Sequence, residues 1–355
     1  MLLKETQKNR LLDQIGTVVN ESKILVDKKK TIPLNGNKEI SFDHFEIISR
    51  KSKKKVSIKK VNNLPKLLKK QINLDLRKVK SKKKNFANLN FKKIPNIMGV
   101  LNLTPDSFSD GGKFNSKTKG VNHALKMFKS GANIIDVGGE STRPGSNALN
   151  EKLEWGRIKK TIRSLGKKIP LSLDTRNSRT MDRGIRYGVK IINDVSGFNH
   201  DAKTVNILKK YNTPFVIQHS QGTPKNMQIK PTYKNELLDI YDFFEEKIKF
   251  LRSIGIKHNN IIIDPGIGFG KNLKHNMNLI SNISIFHSLG FPILVGNSRK
   301  RFIKDLSGKN DTKNRIGGTV ASSIYLFTQG VQILRIHDVD ELIQGIKVFN
   351  ELMKN

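Results

Sequence analysis

The sequence predicts a (β/α)₈ barrel of the TIM type preceded by a lysine-rich N-terminal accessory region. Three observations support this. From Pro95 onward, eight short apolar runs alternate with stretches of helical spacing, the pattern of a parallel sheet covered by helices on its outer face. The 261 residues from Pro95 to Asn355 match the roughly 250 that such a barrel needs. Lysines crowd the chain before that point and thin out after it. A doubly wound open sheet is the alternative, and eight regular units within this length favour the barrel.

The strand candidates are Ile97–Leu103, Asn133–Val137, Pro170–Leu173, Lys190–Asn193, Pro214–Gln218, Asn260–Ile263, Pro292–Val295 and Val331–Ile336. Each is short and rich in β-branched residues, as strands buried on both faces are. Helical spacing falls between them, for example at Ala124–Phe128, Leu153–Leu165, Leu237–Leu251, Met277–Phe286 and Val320–Phe327. Residues 1–93 are read as the accessory region, partly ordered, and residues 94–355 as the catalytic domain. Within the first, Glu39–Phe45, Glu46–Ser49 and Val56–Ile58 alternate as strands of a small β element would, and Leu64–Leu74 reads as a short amphipathic helix or linker. The region is expected to have no catalytic duty, so that removing residues 1–90 should leave turnover within a few-fold.

Composition excludes several classes. The chain has no cysteine, so disulfides, zinc–cysteine sites and a thiol nucleophile are ruled out. No apolar run approaches the roughly 18 residues of a membrane span. The first residues carry Glu5, Asp13 and Glu21 and no apolar signal core, which predicts a soluble cytoplasmic protein without membrane association. The formal charge of +36 divides into +18 over residues 1–93 (26 basic, 8 acidic) and +18 over the rest. Lysine dominates, without the arginine and aromatic interleaving of base-reading surfaces, which argues against specific nucleic-acid binding. Salt-dependent adhesion to polyanions is expected instead.

Barrel enzymes carry their chemistry at the C-terminal ends of the strands. Those positions hold Asn102, Asp136, Asp174, Asn193, His219, Asp264, Ser298 with Lys300, and Arg335 with His337. Any one of them could be a helix cap or a satisfied loop group. Together they make a coherent set. Asp174, Asn193 and Asp264 suit a flat heterocycle with several N–H donors and a carbonyl. Arg143, Arg335 and His337 suit phosphate oxygens. The first two strands are followed by loops longer than the usual 2–6 residues, as lids that order around a substrate are. The run from Asp264 to Lys271 only superficially resembles a phosphate loop, because Asn272 follows the lysine where Ser or Thr is required.

Two of these segments carry a family resemblance. Ile97-Met98-Gly99-Val100-Leu101-Asn102-Leu103-Thr104-Pro105-Asp106-Ser107-Phe108-Ser109-Asp110-Gly111-Gly112 resembles the first signature of dihydropteroate synthases. Gly131 to Gly145, with Asp136-Val137-Gly138-Gly139-Glu140-Ser141-Thr142-Arg143-Pro144, resembles the second. Leu173-Asp174-Thr175, Ile191-Ile192-Asn193-Asp194, Asp264-Pro265-Gly266, Ser298-Arg299-Lys300 and Arg335-Ile336-His337-Asp338-Val339 follow in the family's order. The resemblance covers roughly residues 94–355.

The resemblance implies condensation of 6-hydroxymethyl-7,8-dihydropterin diphosphate with 4-aminobenzoate to 7,8-dihydropteroate, with Mg²⁺, by a homodimer. It implies that Asp174, Asn193, Asp264 and Lys300 hold the pterin and that Asn102 ligates the metal. Thr142, Arg143, Arg335 and His337 would grip the phosphates, while Phe108, Pro144, Phe269 and Lys300 would frame the aminobenzoate. Asp174 and Lys300 are the expected catalytic groups, with Asp110 (or Asp106) stabilising the developing cation or taking the amine proton.

The chain departs from common family patterns at Ser220, where methionine is frequent, at Ile267, where an aromatic is frequent, and at Arg301, where serine occurs. These bear on packing beside the pterin, aminobenzoate affinity and sulfonamide sensitivity rather than on the reaction class. A pterin-binding methyltransferase and a non-catalytic pterin-binding paralogue are the competing readings. Asn102, Lys300 and Arg335, all present, argue against the second, and no GxGxxG follows a first strand to support an oxidoreductase.

Overall fold

The computed structural model describes residues 10–13, 19–104, 119–141, 146, 149–223 and 225–353. The N-terminal part runs through β1 (Arg10–Asp13), α1 (Val19–Asp27), β2 (Ile32–Leu34), β3 (Asn37–Phe42), β4 (His44–Ile48), β5 (Lys53–Ser57) and α2 (Lys66–Lys80). The strands β1, β4 and β5 form an antiparallel sheet and β2 pairs with β3. Alternation places Phe45, Ile47 and Val56 on the buried side, where they meet Leu34, Ile40, Phe42, Ile72, Leu76 and Val79 in a core of their own. Lys53, Lys54 and Lys55, at the start of β5, are exposed.

This lysine-rich unit is more regular than its composition suggests, and it is fastened to the barrel. The Asn35 amide donates to His287 Nδ1 at 3.5 Å, and Lys83 Nζ donates to the Gly290 carbonyl at 2.8 Å. Arg50 pairs with Asp239 and Asp242 at 2.7 and 2.9 Å. A Cβ on Gly330 would lie 2.1 Å from Leu34 Cδ2, so the Leu34 side chain packs directly against the bare glycine.

The barrel strands are β6 (Asn96–Asn102), β7 (Ile134–Gly138), β8 (Leu171–Asp174), β9 (Ile191–Asp194), β10 (Phe215–Gln218), β11 (Ile261–Asp264), β12 (Leu294–Val295) and β13 (Ile333–Ile336). They form one eight-stranded parallel sheet in the order β11-β10-β9-β8-β7-β6-β13-β12, and a parallel bridge from Ile263 to Ile293 closes it. The helices between and after them are α3 (Lys119–Lys129), α4 (Glu151–Leu165), α5 (Ser178–Arg186), α6 (Thr204–Tyr211), α7 (Glu236–Ser253), α8 (Leu273–Ser281), α9 (Arg301–Ser307), α10 (Ile316–Thr328) and α11 (Val339–Leu352). The helical stretch expected over Met277–Phe286 breaks at Asn282 and continues as a 3₁₀ turn, Ile283–Leu289.

Inward-facing residues follow the two-residue period of a strand. At the lower end Met98, Ile134, Ile191, Val216, Ile262, Leu294 and Ile333 fill the interior, and Leu89 and Phe91 close it from below. Phe86 meets Phe91 edge-on at 5.3 Å. Residues 86–91, counted with the accessory region by composition, are therefore the barrel's floor. One inward step higher the same strands present Asp136, Asp174, Asn193, Gln218, Asp264 and Arg335. No helix among the described residues is long and apolar enough to cross a membrane.

Candidate active site at the upper mouth of the barrel

A cavity of about 700 Å³ opens over this polar layer, lined among others by Asn102, Glu140, Met227, Phe269, Lys300 and Arg335. Register explains the grouping, since Asn102, Gly138, Asp174 and Asn193 are successive partners across β6, β7, β8 and β9. Arg335, from β13, bridges two carboxylates, with Nε at 2.7 Å from Asp136 Oδ2 and a terminal nitrogen at 2.7 Å from Asp174 Oδ2. Asn193 donates to the same Asp136 oxygen at 3.0 Å, while its own Oδ1 is buried without a partner. That leaves an acceptor aimed into the layer beneath the cavity. Burial pushes the Asp174 carboxyl up to about 7 in spite of Arg335 beside it.

Asp264 ends β11 and accepts from the Gly266 N–H at 2.8 Å. Gly266 has φ +70°, and a Cβ there would sit 2.0 Å from the His219 carbonyl, so the turn requires glycine. Burial pushes Asp264 up to about 6, against the pull of Lys300, Arg335 and Lys271. Lys300 stands with Nζ 4.2 Å from the centre of the Phe269 ring, a cation–π contact. Burial lowers it to about 8. Ser298 Oγ is 3.0 Å from His337 Nδ1, which ties the strand end of β13 to the turn that carries Lys300.

The structure thus gathers Asn102, Asp174, Asn193, Asp264, Phe269, Lys300, Arg335 and His337 at one mouth. Phe108, Asp110 and Asp106, with Thr142, Arg143 and Pro144, lie outside the described residues. Three expectations about individual positions resolve physically. Ile267 is buried in the outer core. Arg301 is largely exposed, sits 3.5 Å from Asp305 on its own helix, and with it lines the outer part of the cavity. The cavity's methionine is the buried Met227, not residue 220.

Sequence reading also missed Lys271. It is buried, donates to the Phe269 carbonyl at 2.9 Å and lies 3.0 Å from His219 Nδ1. Burial lowers it to about 7. The Glu140–Arg176 pair was missed too, joined by contacts of 2.7 and 2.9 Å. Glu140 also accepts from the Leu149 N–H at 2.8 Å, holding together the two ends of the loop after β7. A charged pair on opposite sides of two loops has no local sequence signal.

Comparison with known proteins places this geometry. A family model described as pterin binding enzyme matches residues 98–337, and the chain belongs to that family, within its dihydropteroate synthase branch. The dihydropteroate synthase of Synechocystis is 36% identical over 260 residues, 73% of this chain and 90% of the relative. That of Bacillus subtilis is 37% identical over 267 residues, 75% and 91% of the two chains. A crystal structure of the Yersinia pestis enzyme with a sulfonamide drug, 36% identical, superposes with a TM-score of 0.71 over 75% of this chain and 97% of that one. The Xanthomonas albilineans enzyme in complex with 7,8-dihydropteroate is 30% identical, with a TM-score of 0.68 over 75% and 96%. The reaction is accordingly the transferase step that forms dihydropteroate in folate biosynthesis.

Proposed function

We propose that the cavity over Asp136, Asp174, Asn193, Asp264 and Arg335 takes the dihydropterin edge-on, and that the diphosphate and 4-aminobenzoate meet above it beside Lys300 and Phe269. The observation that carries this reading is the buried layer itself, in which three carboxylates, one unpartnered amide oxygen and a bridging guanidinium lie under a cavity of about 700 Å³. Such groups are costly to bury unless a ligand completes their hydrogen bonds. A pterin ring supplies the matching N–H donors and carbonyl. Lys300 and Phe269 then offer a cation and an aromatic face to the arylamine.

For Mg²⁺ the donor set fits in one limited way. Among the described residues no group of three acidic or histidine side chains could hold a metal. The Asn102 amide stands at the cavity rim and offers a single oxygen. One protein oxygen plus substrate phosphates is a usual setting for Mg²⁺, so Asn102 would hold an ion that arrives with the diphosphate. There it would neutralise charge on the leaving group.

The chemistry assigned to this chain's own side chains is electrostatic. As the methylene C–O bond breaks, its electron pair leaves with the diphosphate, and His337, with Thr142 and Arg143, stabilises the growing negative charge. The Asp174 carboxylate faces the cationic pterin methylene. The neutral amine forms the new C–N bond through its lone pair and then loses a proton, for which Asp110 is the proposed acceptor. Lys300 orients both reactants, which recovers the entropy of bringing them together. The enzyme is further proposed to work as a cytoplasmic homodimer; light scattering of the purified protein tests the dimer.

The test of function is direct. Purified protein with the dihydropterin diphosphate, 4-aminobenzoate and Mg²⁺ should yield dihydropteroate by mass spectrometry, and EDTA should stop it. A folded protein that binds pterin but forms no product would overturn the assignment in favour of a binding paralogue or a methyltransferase.

A further inference from the structure

Arg299 has φ +57°, in the left-handed region that a side chain with a Cβ disfavours on the order of tenfold. It lies between Ser298, bonded to His337, and Lys300, which covers the Phe269 ring. A residue stays in that conformation only where its surroundings over-determine it. Here each of its polar groups is held by a different residue. Its N–H donates to Thr319 Oγ1 at 3.0 Å. Its carbonyl accepts from Arg315 at 2.9 Å. Its guanidinium pairs with Asp338, with Nε at 2.9 Å from Oδ2.

Arg315 is the centre of this arrangement. It is buried at 8% exposure, and its guanidinium serves backbone carbonyls, namely Lys309 at 3.0 Å through Nε, Arg299, and Asn310. Its own carbonyl accepts from Thr319 Oγ1 at 2.9 Å, so the residue that holds the Arg299 N–H is itself fixed by Arg315. The planar, five-donor fork of arginine can hold three carbonyls at once, which the point charge of lysine cannot.

We propose that Arg315 is a positioning residue for Lys300. It clamps Arg299 in the left-handed conformation, and the turn so formed aims the Lys300 ammonium over Phe269 and into the cavity. The proposal rests on the reading that Lys300 meets the substrates. It adds the residue on which that placement depends, which lies at the cavity wall with its guanidinium turned to backbone carbonyls.

The test uses the full-length enzyme and compares Arg315→Met, Arg315→Lys, Arg299→Gly, the double variant Arg315→Met with Arg299→Gly, and Lys300→Ala. In Arg315→Met the KM for both substrates is expected to rise about tenfold, with kcat changed less, since the cost of the left-handed turn returns at each binding event. Arg315→Lys should fall between it and the wild type. Adding Arg299→Gly to Arg315→Met should recover most of the loss, because glycine adopts this φ freely; Arg299→Gly alone gives the baseline for losing the Asp338 pair.

Hydrogen exchange over residues 296–301 reads the turn without substrate, and it should quicken in Arg315→Met. Unchanged exchange, or no recovery of KM in the double variant, overturns the clamp. If Arg315→Met does not fold, Arg315→Lys with and without Arg299→Gly carries the same comparison. Quickened exchange with unchanged KM in both Arg315→Met and Lys300→Ala would show that the Lys300 assignment is what fails, and it would overturn the link from turn to substrate.

Discussion

Replacing Asp264 by asparagine should stabilise the empty enzyme at alkaline pH while loosening its grip on the pterin. Burial holds the folded carboxyl at about 6 against an ordinary 3.8. The folded state therefore binds this proton more tightly than the unfolded chain does. The stabilisation this gives is complete below the unfolded value and is lost as pH rises through about 6. By pH 8 the ionised, buried carboxylate costs the fold on the order of 3 kcal/mol. The attraction of Lys300, Arg335 and Lys271 already opposes that cost. Asparagine keeps an oxygen for the Gly266 N–H, at 2.8 Å in the wild type, and carries no charge. Its new N–H groups need partners, which offsets roughly half the gain.

The net expectation is about 1–2 kcal/mol at pH 8, or roughly 2–4 °C in Tm for a domain of this size. It should shrink towards zero near pH 4.5, where the wild-type carboxyl is itself protonated. Pterin affinity should fall about a hundredfold, the worth of losing a charged acceptor to ring N–H groups. Thermal scans at pH 4.5 and pH 8, with calorimetric titration of a pterin, measure both. A Tm difference equal at the two pH values would refute the electrostatic reasoning, and so would retained pterin affinity.

Three further outcomes follow from named contacts. Lys300→Ala should weaken both substrates while leaving Tm within about 2 °C, since removing a partly exposed cation from a cation–π contact is worth about 1 kcal/mol; unchanged kinetics would show that the lysine is not at the site. A chain starting at residue 85 should keep turnover within a few-fold, measured at 20 °C to allow for a bared barrel wall. A chain starting at residue 91 loses Phe86 and Leu89 from the floor, and should fall in stability by about 3–5 kcal/mol. The structure thereby moves the tolerable cut from residue 90 to residue 84, and equal Tm values for the two truncations would count against the floor. Arg176→Met should raise the KM for the dihydropterin diphosphate several-fold, because Glu140 then holds the ends of the loop after β7 alone and unpaired; binding of a pterin without phosphates should not change.

The barrel was legible because its signal is periodic. Runs such as Ile261-Ile262-Ile263 are buried on both faces, and eight of them spaced through the chain admit few other arrangements. The polar strand ends were legible for a related reason, since residues such as Asn102, Asp174 and Asp264 stop apolar runs where a core residue would have continued them. What escaped was long-range. Nothing near Leu89 says that it will meet Met98 and Ile191 under a barrel. The alternation around Phe42, Phe45 and Val56 was read as a small β element, but lysine density hid that these residues close a core with Ile72, Leu76 and Val79 from a helix further along the chain. Lys271, Arg176 and Arg315 were invisible as functional groups because their partners are backbone carbonyls or side chains from distant loops.

The site and the floor stand one inward step apart on the same strands, and they load the fold in opposite directions. Below, Ile134, Ile191, Val216, Ile262 and Ile333 gain stability from burial alone. Above them, Asp136 Oδ1, Asn193 Oδ1 and Gln218 Nε2 are buried without hydrogen-bond partners among the described residues, and each such atom costs about 1–3 kcal/mol until something satisfies it. A ligand that fills those valences is stabilised by what the empty barrel lacks, so substitutions in the two layers should separate cleanly. Trimming Ile191 should lower Tm and leave pterin affinity nearly unchanged. Neutralising Asp264 should raise Tm and lower affinity. The sign of the correlation between Tm and affinity across a set of single variants therefore identifies the layer in which each side chain works, and it follows from the strand register alone.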